Sequence, residues 1–142
     1  EDVTLVDVPS YLGEICESLR QSMLSDTTVV LERKLESAFL HVDQAVPVGL
    51  IVNELVTNAI KYAFRPNDPG RIAVRFRVVG KTAILTISDN GRGLDQYARP
   101  GVGSRLVRDL ATQIGATFRM VAQRGLTCSF RFKLPAASHE TM

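Results

Sequence analysis

The sequence predicts an α+β protein: a two-layer sandwich, with a mixed sheet of about five strands and helices on one of its faces. Three observations predict it. Three stretches, within 10–24, 47–64 and 104–114, repeat apolar residues at helical spacing. Two pairs of alternating segments, 72–79 with 82–88 and 117–122 with 126–134, are each joined by a tight glycine-bearing turn. The order is helix, strand, helix, two strands, helix, two strands, with no internal repeat and no low-complexity segment.

Taken in order, Thr4 to Pro9 reads as an extended lead-in. Ser10 is a candidate cap for a helix over 10–24, whose stripe is Leu12, Ile15, Cys16, Leu19 and Met23. Thr27 to Leu35 opens with β-branched residues and reads as a strand, which Ser37 to Val42 either continues or flanks as an outer strand. Asp43 is the expected N-cap of the second helix, with Pro47 in its first turn, where a missing N–H costs no helical bond. The run Arg65 to Gly70 is dense in turn formers and stops that helix. Ile72, Val74, Phe76 and Val78 share one strand face, Gly80-Lys81 turns the chain, and Thr82 to Ser88 returns. Leu94 to Pro100 is polar and reads as a mobile loop. The third helix, about 104–114, carries Leu106, Val107, Leu110, Ala111 and Ile114, and Gly115 follows as its terminator. A single domain over 1–135 and a flexible tail over 136–142 are expected.

Composition bounds the function classes. Apolar residues make up 45% of the 142 and charged residues 23%, as in a soluble globular protein. Net charge is +2 without a long basic run, which gives no overall argument for nucleic acid or a membrane surface. No apolar run nears the ~20 residues of a membrane span, and no signal peptide is present. Cys16 and Cys128 lack C-x-x-C spacing and read as reduced packing thiols of a cytoplasmic protein, a single disulfide being the other possibility. The chain begins at Glu1, which suggests a piece of something longer.

The stretch Pro47 to Phe64, P-V-G-L-I-V-N-E-L-V-T-N-A-I-K-Y-A-F, organises the rest. With Glu54 set at zero and 100° per residue, Val48, Gly49, Val52, Leu55, Val56, Ala59, Ile60 and Ala63 fall between about 100° and about 240°. Glu54, Thr57, Asn58, Lys61 and Tyr62 fall between about −60° and about 80°, together with Leu50 and Ile51. A wet helix face seldom mixes Leu and Ile with Glu and Asn, whereas the wall of a ligand site often does. An ordinary amphipathic helix is the competing reading.

Three glycine-bearing pieces follow. Asp89-Asn90-Gly91-Arg92-Gly93 ends a strand; its Asp suits the exocyclic amine of a base, and a plain tight turn explains it as well. Gly101-Val102-Gly103-Ser104 opens a helix, where N–H groups and the positive dipole end favour phosphates; a helix cap with a flexible approach is the alternative. It is neither a Walker loop nor a dinucleotide fingerprint, since no G-K-[ST] follows and no strand precedes. The third, Gly125-Leu126-Thr127, is by itself only a hairpin turn.

Together, N-E-L-V-T-N-A-I-K-Y-A-F, I-S-D-N-G-R-G-L, G-V-G-S-R-L-V and G-L-T-C-S-F-R-F resemble, in order and spacing, the ATP-binding domain of sensor histidine kinases. More broadly they are similar to the gyrase, Hsp90, histidine kinase and MutL superfamily, over about 27–135. The wording of the helix and the short lid of 94–100 resemble the class related to the HWE kinases, in a sister group without the Trp motif, since the chain has no Trp.

The resemblance implies a Bergerat-type ATP-binding fold and Mg-ATP as ligand. It implies Asn58 as the residue that coordinates Mg²⁺, and Glu54 as the catalytic carboxylate that orients or deprotonates the attacking group. Lys61 and Tyr62 would lie near phosphate and ribose, Asp89 would read the adenine amine, and Thr127 would support Asp89. Gly91, Gly93 and Leu94 would make room for the base and hinge the lid, and Gly101, Val102, Gly103 and Ser104 would flank the phosphates. Ile51 and Tyr62 would pack on the nucleotide, and Ser104 departs from the family's usual Leu or Met.

Neither His41 nor His139 lies on a predicted helix with acidic neighbours, so both read as non-acceptors, His41 as a strand-edge or surface residue. The implied function is the catalytic domain of a two-component histidine kinase, passing the γ-phosphate to a histidine outside this chain. The implied partners are an upstream helical dimerisation and phosphoacceptor domain and a response regulator, the parent being a homodimer without nucleic-acid or membrane contact by this domain. The alternatives are an adaptor of the same fold that lost ATP binding, and a serine kinase of the anti-sigma type. The short lid argues against gyrase-, Hsp90- and MutL-type ATPases.

Overall fold

Apolar side chains at period 3.6 on three helices and at period 2 on the strands meet in one layer. The computed structural model describes residues 4–91 and 104–136. The elements are β1 (Leu5–Asp7), α1 (Val8–Met23), β2 (Val29–Leu35), β3 (Phe39–His41), α2 (Val42–Tyr62), β4 (Gly70–Val79), β5 (Thr82–Asp89), α3 (Arg105–Gln113), β6 (Thr117–Ala122) and β7 (Leu126–Lys133). Five strands form one mixed sheet in the order β2-β4-β5-β7-β6. β2 runs parallel to β4, and the other three pairs are antiparallel.

The inner face of the sheet carries Ile72, Val74 and Phe76, then Ala83, Leu85 and Ile87, then Leu126, Cys128, Phe130 and Phe132, all buried. Against them lie Leu12 and Cys16 of α1, Val48, Val52 and Val56 of α2, and Val107 and Leu110 of α3. Each large apolar side chain buried this way contributes about 1.5–3 kcal/mol. Phe118 stacks on Phe130 with centroids 4.8 Å apart, and Phe76 meets Phe132 edge-on at 6.3 Å. Cys16 and Cys128 are separate buried thiols with no disulfide between them. Burial raises the Cys16 thiol pKa to about 11, against a smaller opposing pull from Arg33.

Four sequence expectations are corrected. The first helix starts at Val8, not Ser10, with Asp7 as its N-cap residue and Pro9 within the opening turn. Residues 39–41 neither extend β2 nor edge the main sheet; they pair antiparallel with β1 in a separate ribbon. The second helix starts at Val42 with His41, not Asp43, at the N-cap, and the Gln44 side chain accepts from the His41 N–H at 3.3 Å. Pro47 therefore lies inside the helix, beyond its first turn, where its missing N–H leaves a carbonyl one turn earlier without its usual partner. His41 ends β3, as a strand-edge residue should, but its Nε2 is buried without a hydrogen-bond partner among the described residues.

Candidate functional site

α2 packs its predicted apolar arc into the core, and the burial reaches further round the helix than that arc. Ile51 is fully buried, so it is a core residue and not one that packs on a ligand; Leu50 is half exposed. Asn58, 8% exposed, is the one polar side chain among the described residues that is buried. A buried amide costs stability unless hydrogen-bonded. Asn58 Nδ2 donates to Glu54 Oε2 at 3.1 Å, one helical turn away. That turns Oδ1 of Asn58 the other way, and Oδ1 has no hydrogen-bond partner among the described residues. The pair thus presents an amide oxygen and a carboxylate side by side on a rigid helix.

Tyr62 ends α2 on the same side as Asn58 and is partly exposed. Lys61 is exposed and lines a different hollow of about 400 Å³, with Thr28, Ile60, Phe64 and Asp68.

Asp89 ends β5, opposite Leu126 on one side and Ile72 on the other. Strand alternation sets it on the inner face, in line with Leu85 and Ile87. Its Oδ1 accepts from the Gly91 N–H at 2.8 Å, an Asx turn that aims the carboxylate back over its own loop. Asn90 ties that loop to β4 from both ends: its Oδ1 accepts from Arg71 N at 2.8 Å, and its N–H donates to Arg71 O at 3.2 Å. The sequence reading missed this role of Asn90.

Two glycines let backbones meet here. A Cβ on Gly91 would lie 2.3 Å from the carbonyl oxygen of Ala63, the C-cap of α2. A Cβ on Gly125, whose φ is +114°, would lie 1.9 Å from the carbonyl oxygen of Asp89. The end of β5 and the two residues after it are thus clamped between the end of α2 and the β6–β7 turn. Asn58 lies five residues before Ala63, roughly 7–8 Å along the helix. The same junction therefore carries Asp89 and Asn58.

Thr127 stands elsewhere. It pairs with Ser88, and both face the outer side of the sheet. The β7 side chains on the side of Asp89 are Leu126, directly opposite, and Cys128, one pair further along. Thr127 is therefore not placed to support Asp89. The alternation of buried Leu126, Cys128, Phe130 and Phe132 carries the signal that assigns the face. Ser104 is the N-cap of α3, its Oγ accepting from Val107 N at 3.2 Å, which accounts for a hydroxyl at this position; a cap of this kind is worth about 1 kcal/mol. Gly93, Leu94, Gly101, Val102 and Gly103 lie outside the described residues.

The donor set suits a hard cation brought in by phosphates. Among the described residues no three His, Cys, Asp or Glu cluster as a cage. Asn58 Oδ1 beside a carboxylate is the small oxygen set that Mg²⁺ takes when phosphates and water complete its shell.

A two-layer sandwich with helices on one face of a five-stranded mixed sheet is the fold of a class of ATPase domains, and the family comparison agrees. Residues 43–138 match the histidine kinase-, DNA gyrase B-, and HSP90-like ATPase family, and the chain belongs to that family. It is 26% identical over 143 residues to blue-light-activated histidine kinase 2 of Erythrobacter litoralis, across 97% of this chain and 41% of that protein. It is 26% identical over 169 residues to the sensor protein ChvG of Rhizobium meliloti, across 97% of this chain and 29% of that protein. The histidine kinase domain of the Erythrobacter litoralis EL346 blue-light-activated histidine kinase superposes with a TM-score of 0.81 at 25% identity, over 91% of this chain and 62% of that one. Within the family, the likeness is to the catalytic, ATP-binding domain of histidine kinases, and the chain spans less than half the length of these two curated relatives.

Proposed function

We propose that this domain binds Mg-ATP between α2 and the end of β5 and delivers the γ-phosphate to a histidine outside the chain. The observation that carries the reading is the Asn58–Glu54 pair: a buried amide whose nitrogen is held by the carboxylate and whose oxygen is left for a ligand. Asn58 Oδ1 would hold the cation. Bound Mg²⁺ would supply charge neutralisation on the phosphates. In this reading the Glu54 carboxylate would accept the N–H of an incoming imidazole, keep the opposite ring nitrogen aimed at phosphorus, and take the proton once the N–P bond has formed and the bond to the ADP oxygen has broken. Asp89 accepts from the exocyclic amine of adenine, and Tyr62 packs near the ribose. Catalysis of this kind is positioning and charge compensation on rigid elements.

The partners that fit are a helical domain that carries the acceptor histidine and dimerises the parent, and a response regulator downstream. A domain that uses ATP in this way would work in the cytoplasm, where ATP is supplied. Calorimetric titration of wild type and Asp89→Ala with Mg-ATP tests the reading. At least a tenfold loss of affinity, about 1.4 kcal/mol, is expected; equal affinities would sink it.

A further inference from the structure

The outer face of the sheet is far more basic than the chain. Cross-strand register and alternation place Lys34, Arg71, Arg75, Arg77, Arg119, Arg131 and Lys133 on it, all exposed. The same rule places one acid there, Glu32, which pairs with Arg71 at 3.4 Å. Glu36, at the rim, is engaged by the Val78 N–H. Of the 15 Lys and Arg among the described residues, seven stand on this face; of the 11 described Asp and Glu, one does. The other described residues hold eight cations against ten acids, so a net charge of +2 conceals a polarised molecule.

Rows across the strands show a pattern. One reads Lys34, Arg75, Thr86, Ser129, Arg119. The next reads Arg77, Ile84, Arg131, Thr117. Half-buried hydroxyls of Thr86, Ser88, Thr127 and Ser129 floor the two central strands, and cations rise on both sides. Ile84 is 7% exposed although it faces outward, which the aliphatic stems of Arg77 and Arg131 on either side explain. A groove of about 700 Å³ runs along one flank, with Glu32, Lys34, Ala73, Arg75 and Ser88 in its lining.

This arrangement does not serve folding. Lys34 and Arg75 are directly opposed, and like charges at such positions destabilise a sheet. Arg75, Arg77, Arg119 and Arg131 have no ion pair among the described residues. We propose that the outer face of the sheet docks a carboxylate-rich segment of a protein partner. Guanidinium groups pair with carboxylates two bonds at a time, and the central hydroxyls accept and donate along the same strip. The strands put no aromatic ring on this face for bases to stack on, which disfavours single-stranded nucleic acid. Its exposed apolar residues, Val30, Val79 and Val121, lie on separate strands and make no patch for a lipid surface.

The probe is a fluorescein-labelled glutamate-rich peptide, titrated by anisotropy at near-physiological salt. Arg75→Glu/Arg131→Glu should weaken binding by about tenfold or more. Arg20→Glu/Arg108→Glu, with the same change in net charge away from this face, should leave it unchanged. Thermal melts check both folds, and Arg75→Gln/Arg131→Gln replaces the first pair if it does not fold. Equal losses in the two double variants overturn the proposal, as does the absence of binding to wild type. Tighter binding of a single-stranded oligonucleotide or of phosphatidylserine vesicles than of the peptide, at the same salt, overturns it too.

Discussion

Gly91 and Ala63 touch through their backbones: a side-chain carbon on Gly91 would stand 2.3 Å from the Ala63 carbonyl oxygen. The first belongs to the loop that follows Asp89, the second caps the helix that carries Asn58. The nearest atoms are the carbonyl group and the Cβ of Ala63, none of which can move by turning a side chain. Gly91→Ala should lower unfolding free energy by about 1–3 kcal/mol, the usual cost of forced overpacking, and weaken Mg-ATP binding with it. Denaturant titration and calorimetry read the two effects, and a variant as stable as wild type would show that the junction is slack.

Among the described residues Asn58 makes one side-chain hydrogen bond, to Glu54, and it is buried. Replacing it with Ala removes both that bond and the amide oxygen, at a structural cost of about 1–3 kcal/mol. The fold should survive, while Mg²⁺-dependent ATP affinity falls by at least an order of magnitude. Parallel titrations with and without Mg²⁺ separate the cation's share. Loss of the folded state, or affinity unchanged in both titrations, would remove Asn58 from the site.

Thr127 faces away from Asp89 and pairs with Ser88 on the outer side of the sheet. Thr127→Ala should accordingly change ATP affinity by no more than about twofold, the size of an ordinary surface substitution. A tenfold loss in a nucleotide titration would restore the role that the sequence pattern suggested.

The Cys16 thiol, with a pKa of about 11, lies above its unfolded value of 9.0 because burial disfavours the thiolate. Between those values the unfolded chain has lost the proton and the folded chain retains it, so stability falls as pH rises. The contribution is fully present below pH 9, drains away towards pH 11, and amounts to about 2–3 kcal/mol at most. Urea midpoints measured across that window, on wild type and Cys16→Ala, should converge as pH rises. Parallel curves for the two proteins would disprove the assignment.

Much of the architecture was legible in the chain because its periods are clean. The alternation of Ile72, Val74 and Phe76, and the stripe of Val48, Val52, Leu55, Val56 and Ala59, each point one way and end at turn formers. What failed was short or one-sided. β3 has three residues, too few for a period to show, and its partner is the equally short β1. Ile51 lies at the margin of the predicted polar arc, yet contact with neighbouring elements buries it completely.

The sequence by itself determined the layers, the order of the elements and the helix on which Glu54 and Asn58 fall one turn apart, because these depend on spacing along the chain. Only the tertiary structure decided which groups meet. Register set Thr127 on one face and Cys128 on the other. Backbone contact gave Gly91 and Gly125 their reasons. Pairing between strands far apart in sequence gathered seven cations onto a face that net charge conceals, since a charge count carries no direction and a sheet does.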